Sequence, residues 1–143
     1  MDNKLKGNLA VASAITHFIT MGYTVSIPLA DTAKYDLVVE RGGNFEAVQC
    51  KYAGFERSPG IYSVPLYVSG GHRSAGNRRI KYQSNDFDIL FVLCASNQKY
   101  LIPFQEIAHR TIINVGRNSK WSKWEKYSLS SGENCRPIEE SIG

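Results

Sequence analysis

Apolar residues recur at three- and four-residue spacing from Lys4 to Met21, where Leu5, Leu9, Ala12, Ile15 and Ile19 form one stripe. That spacing predicts an amphipathic helix, with Gly22 as its stop signal. The period then shortens. Tyr23 to Leu29, Tyr35 to Glu40 and Asn44 to Tyr52 read as three strands, and a polar turn over Ala30 to Lys34 separates the first two. Arg41-Gly42-Gly43 joins the second strand to the third, and a Gly-Gly link between two β-rich runs marks a hairpin. From Ala53 to Asn85 the pattern weakens. Ile61 to Val68 reads as a strand interrupted by Pro65, which argues for an edge position because proline cannot donate to a sheet ladder. Ser69 to Asn77 reads as loop. Asp86 to Cys94 and Gln98 to Pro103 return to strand on either side of Ala95-Ser96-Asn97, and Phe104 to Arg110 reads as a short helix. The tail from Ser130 onward is expected to fray.

An opening helix, a hairpin and later strands predict one α/β (α+β) domain over residues 1–143, a mixed sheet flanked by helices. A chain of 143 residues is long enough to bury a core without disulfide or metal staples. No apolar run approaches the length of a membrane span, and the N-terminus, with Asp2, Lys4 and Lys6, lacks the apolar stretch of a signal peptide. The expectation is a cytoplasmic protein with no membrane partner. Three scattered cysteines, Cys50, Cys94 and Cys135, support neither a disulfide framework nor a zinc ribbon. His17, His72 and His109 show no HxH or HExxH spacing, which argues against a zinc site.

The chemistry gathers in two pieces, Tyr35-Asp36-Leu37-Val38 and Val48-Gln49-Cys50-Lys51. Side chains alternate along a strand, so Gln49 and Lys51 share one face with Ala47. Asp36 stands near the start of its strand and Gln49 and Lys51 near the end of theirs. In an antiparallel hairpin those ends are neighbours. An acid, an amide oxygen and an ammonium therefore converge at one edge of the sheet, a grouping suited to metal-assisted phosphodiester hydrolysis. Asp36 and Gln49 offer hard oxygens to Mg²⁺, with Mn²⁺ as a substitute. Lys51 positions or activates the attacking water and offsets charge on the phosphorane. Taken singly, the same residues are common as strand caps and solvated faces.

The order of several segments goes further. Lys6-Gly7-Asn8-Leu9, then Met21 to Pro28, Tyr35 to Val39, Val48 to Lys51, Tyr82 to Pro103 and Trp124 to Tyr127 resemble the PD-(D/E)XK endonucleases associated with group I introns, the homing endonucleases. The resemblance covers most of residues 4 to 127. It implies a restriction-endonuclease-like core, a Mg²⁺-dependent cut in double-stranded DNA, and Asp36, Gln49 and Lys51 as catalytic residues, with Asp36 and Gln49 on the metal. Gln49 matches a family variant in which Gln replaces the acid before x-Lys. One position departs from the pattern: the first-helix Glu expected four residues after the Gly of the Lys-Gly opening is Val11. By strand parity Glu46 lies on the wrong face to replace it, and Asn8 is uncharged.

The net charge of +4 at neutral pH is a mild sign of a polyanionic partner, and its distribution says more. His72, Arg73, Arg78, Arg79 and Lys81 cluster among glycines and serines, as expected of a DNA-contacting arm. In the second basic stretch, Lys120 to Tyr127, Trp124 and Tyr127 read as core anchors. Asp86 and Asp88 read as turn and edge residues. One small active site per chain implies at least a dimer for a double-strand cut, a homodimer or homotetramer. The alternatives are a Holliday-junction resolvase or restriction-type nuclease, and a DNA-binding protein on a nuclease core weakened by Val11.

Overall fold

A computed structural model of the chain describes residues 1–69, 79–116 and 122–129. Helix α1 spans Asn3–Thr20, and Asp2 caps it by accepting a 2.7 Å hydrogen bond from Leu5 N–H. Strands β1 (Thr24–Ser26), β2 (Leu37–Arg41) and β3 (Asn44–Ala53) follow. The predicted hairpin is present, with Arg41 paired to Asn44. Gly42 and Gly43 both adopt positive φ (61° and 83°), the left-handed pair that a two-residue turn between twisted strands requires.

Strand β3 lies parallel to β8 (Ile89–Cys94), which turns back antiparallel into β9 (Lys99–Pro103), so a five-stranded mixed sheet runs β1-β2-β3-β8-β9. Strand parity divides its core. Leu37, Val39, Val48, Cys50, Phe91 and Leu93 pack under α1 against Ala10, Ala14 and Phe18. On the opposite face Leu90, Val92 and Ile102 join a second cluster with Val64, Ile113 and Trp124. Among the described residues no helix is long and apolar enough to cross a membrane.

The buried stripe of α1 differs from the predicted one. Leu5, Leu9 and Ile19 are 48%, 38% and 58% exposed and Ala12 is exposed, whereas Ala10, Ala14 and Phe18 are buried, with Val11 and Ile15 packed beside them. Two alanines let the helix axis approach the sheet closely, and spacing alone gave the larger apolar residues the inner face. The expected strand Ile61 to Val68 is two strands, β5 (Ile61–Pro65) and β6 (Tyr67–Ser69), in different sheets. Nor is β5 an edge: it is the middle strand between β4 (Phe55–Ser58) and β10 (Ile112–Val115), two strands the hydrophobic pattern did not reveal. Pro65 is tolerated there because β4 pairs no further along than Ser63, leaving Pro65 opposite Ile112 alone. Gly116, after β10, passes so close to Gly60 that an added Cβ would fall 2.0 Å from the Gly60 carbonyl oxygen.

Strand β6 pairs with β7 (Arg79–Lys81) as a two-stranded ribbon flanking residues 70–78. The short helix after β9, α2, is confined to Phe104–Ile107. A 3₁₀ helix over Ser122–Tyr127 buries Trp124 to 4% exposure, as expected of a core anchor.

Candidate active site

Strand β2 begins at Leu37, paired with Val48, and the Asp36 N–H still donates to the Val48 carbonyl at 2.8 Å. The Asp36 carboxylate lies close enough to the Lys51 ammonium for each to oppose the other's loss of charge. The parallel neighbour sets the face of the other two: Gln49 and Lys51 align with Leu90 and Val92, whose side chains belong to the cluster away from the helix. The structure thus brings Asp36 and Lys51 together, with Gln49 on the Lys51 face of β3, where β2 begins and β3 runs towards its end.

Local hydrogen bonds hold the group. Cys50 N–H donates to Asp36 Oδ2 at 2.8 Å, which fixes the carboxylate against the β3 backbone. Gln49 Nε2 donates to the Cys50 carbonyl at 3.3 Å, turning its amide oxygen away from that bond. Burial pushes the Asp36 pKa above the usual carboxylate value, opposed by the Cys50 N–H and by the Lys51 charge. Burial likewise lowers the Lys51 pKa, opposed by Asp36. Each ion is half-desolvated and each is the other's counter-charge.

Sequence reasoning missed Tyr82. It follows β7 directly, and its ring lies beneath the Lys51 ammonium, 5.2 Å from Nζ to the centroid. Phe87 supports that ring edge-on at 5.0 Å. Burial, with Asp36 and Asp86 nearby, raises the phenol to about 12, so it stays neutral. A tyrosine just after a basic segment was the available signal, but its proximity to Lys51 depends on the tertiary fold.

Among the described residues, no three or more His, Cys, Asp and Glu side chains group to hold a metal. The donor set nevertheless fits a hard cation shared with substrate. Asp36 keeps Oδ1 without a hydrogen bond among the described residues, Gln49 offers an amide oxygen, and Mg²⁺ is commonly held by one or two carboxylates plus phosphate and water. Val11 packs on the helix side of the sheet, half-buried. Asn8 is exposed. Asp88 is tied to the backbone, its Oδ2 accepting from Ala47 N–H at 2.8 Å, and Asp86 accepts from Gln83 N–H. Both are turn and edge residues, as expected.

Of the proposed arm, His72, Arg73 and Arg78 lie outside the described residues. Arg79 has its backbone in β7, and Lys81 is exposed with Nζ 3.4 Å from the His109 carbonyl. Cys50 and Cys94 are buried free thiols, and Cys135 lies outside the described residues.

Comparison with known proteins supplies the family. Protein 5.3 of Escherichia phage T7 is 31% identical over 106 residues, covering 74% of this chain and 84% of that protein. The solved structure of the bacterial homing endonuclease I-Ssp6803I matches with a TM-score of 0.78 at 28% identity, over 90% of this chain and 89% of that one. The family model for PD-(D/E)XK endonucleases matches residues 1–126, a span that takes in α1, the hairpin with Asp36, Gln49 and Lys51, and every strand of the mixed sheet. The chain belongs to the PD-(D/E)XK endonuclease family.

Proposed function

We propose that the protein is a Mg²⁺-dependent, site-specific DNA endonuclease of the homing type, with Asp36, Gln49 and Lys51 as its catalytic group. The observation that carries this reading is the Asp36–Lys51 pair: an acid pinned by Cys50 N–H beside a half-desolvated lysine. When bound, Mg²⁺ supplies Lewis-acid charge to the scissile phosphate and acidifies the attacking water. Asp36 and Gln49 contribute the protein oxygens that hold it. The Lys51 ammonium orients the water and offsets negative charge as the phosphorane forms. Tyr82 steadies that ammonium without competing for its proton.

Double-stranded DNA as substrate accords with the net charge of +4 and with the basic segment flanked by the β6–β7 ribbon. Cutting both strands calls for a homodimer or homotetramer, one site for each scissile phosphate, acting in the cytoplasm. Val11 favours a second reading, a DNA-binding protein on a weakened nuclease core, because the described site holds a single carboxylate.

The test is a supercoiled plasmid carrying a target selected from random duplexes, incubated with Mg²⁺ or Mn²⁺ beside a four-way junction. The proposal expects linear plasmid, with no cutting by Lys51→Ala or Asp36→Asn although both still shift DNA within a few fold of the parent. Tight DNA binding without cutting in either metal establishes the second reading. Preferential cutting of the junction makes the protein a resolvase.

A further inference from the structure

A cleft of about 620 Å³ opens beside the candidate site, between the start of α1 and the end of β3. Lys6, Gly7 and Asn3 line it from the helix, Lys51 and Gly54 from the strand and just beyond, and Ser63 from β5. Its chemistry is one-sided. Among the described residues two lysines line it and no carboxylate does. Lys6 is half-buried, its Nζ 5.9 Å from the centroid of the Tyr52 ring, and it forms no salt bridge with a carboxylate among the described residues. A partly desolvated ammonium without a counter-ion there, facing a cleft that also contains Lys51, favours an anion from solution.

The walls also leave room for a polymer. At Gly7 an added Cβ would meet nothing within 4 Å. At Gly54 it would stand 3.1 Å from the Tyr52 ring and 3.6 Å from Lys6 Nζ, so the missing side chain keeps the approach to that ammonium open. The volume suits a nucleotide-sized piece of backbone.

We infer that this cleft receives the DNA strand being cut, and that Lys6 is a positioning residue holding a phosphate next to the scissile one while Lys51 serves the scissile phosphate itself. The inference rests on the nuclease reading above. By fixing the neighbouring phosphate, Lys6 sets the register of the strand against Asp36 and Lys51, and small misplacements of a reacting group are costly to the rate.

Lys6→Gln and Lys6→Arg are compared with the parent on a duplex containing the selected target, with all three first checked for equal melting temperature. Lys6→Gln should lower kcat/KM about tenfold and reduce the salt dependence of binding by about one unit, as one phosphate fewer is neutralised. Lys6→Arg should restore both. A neutral methylphosphonate at a phosphate next to the cut should weaken the parent but leave Lys6→Gln unchanged. Values for Lys6→Gln within twofold of the parent, with an unaltered salt slope, overturn the inference. If the parent binds DNA but cuts none, the catalytic reading falls and the salt slope still decides the role of Lys6. A parent that does not bind DNA overturns both.

Discussion

Cys50 N–H donates to Asp36 Oδ2 at 2.8 Å, so the backbone of β3 orients the acid that precedes β2. The hairpin makes the bond possible: Asp36 stands just before the Leu37–Val48 pair, and its own N–H donates to the Val48 carbonyl. It also sets a conflict. The carboxylate is fixed in place but half-removed from water, and burial outweighs both the N–H and Lys51 in setting its pKa.

The conflict predicts a pH-dependent stability. Because the folded Asp36 pKa lies above its unfolded value, the folded state binds the extra proton, and this group's contribution is present below the ordinary carboxylate range and lost as pH rises through the folded value. Asp36→Asn mimics the protonated form and can still accept from Cys50 N–H. It should melt a few degrees above the parent at pH 7.5 and level with it near pH 3.5. Thermal denaturation across that range checks this, and a lower melting point at pH 7.5 rejects it.

Tyr82 should be separable into ring and hydroxyl. A cation–π contact at partly desolvated sites contributes about 1 kcal/mol, which corresponds to several fold in rate. Tyr82→Phe keeps the ring under Lys51 and should cut within about twofold of the parent. Tyr82→Leu should lose several fold in kcat and move the alkaline limb of the pH–rate profile, since the Lys51 ammonium loses a stabilising neighbour. Equal loss in both variants would assign the effect to the hydroxyl.

Val11→Glu tests whether the helix side of the sheet also borders the metal, where it would supply a second carboxylate. Val11 already packs against the cluster that includes Cys50, the residue whose N–H holds Asp36. Without metal, a half-buried Glu should lower the melting temperature. With millimolar Mg²⁺ or Mn²⁺ the variant should gain more stability than the parent and cut faster. A loss of stability that metal does not reduce means that position 11 does not border the metal.

Arg78→Ala with Arg79→Ala should weaken DNA binding and lower the salt slope by about one unit for each phosphate no longer neutralised. Gel shifts at several salt concentrations measure this directly. An unchanged slope removes the basic segment from the interface.

What the sequence by itself determined is local. Gly42-Gly43 between two alternating runs specifies a hairpin because glycine accepts the positive φ that a two-residue turn requires, and the hairpin sets the register. Parity along β3 then puts Gln49 and Lys51 on one face, and the hairpin brings Asp36 back to Val48, the residue before Gln49. Nothing distant is needed for that part of the site. Tertiary structure decided the rest. Whether α1 buries Leu5, Leu9 and Ile19 or Ala10, Ala14 and Phe18 depends on how closely the helix approaches the sheet, which its own spacing does not encode. Strand β4 is exposed along its whole length and shows no alternation, and it exists only because β5 is there to pair with it. Tyr82 reaches Lys51, and Lys6 reaches the cleft, through folding that joins residues over thirty or more positions of chain. A pattern with a period of two or of three to four residues carries no information at that range, because those contacts follow from the packing of whole elements.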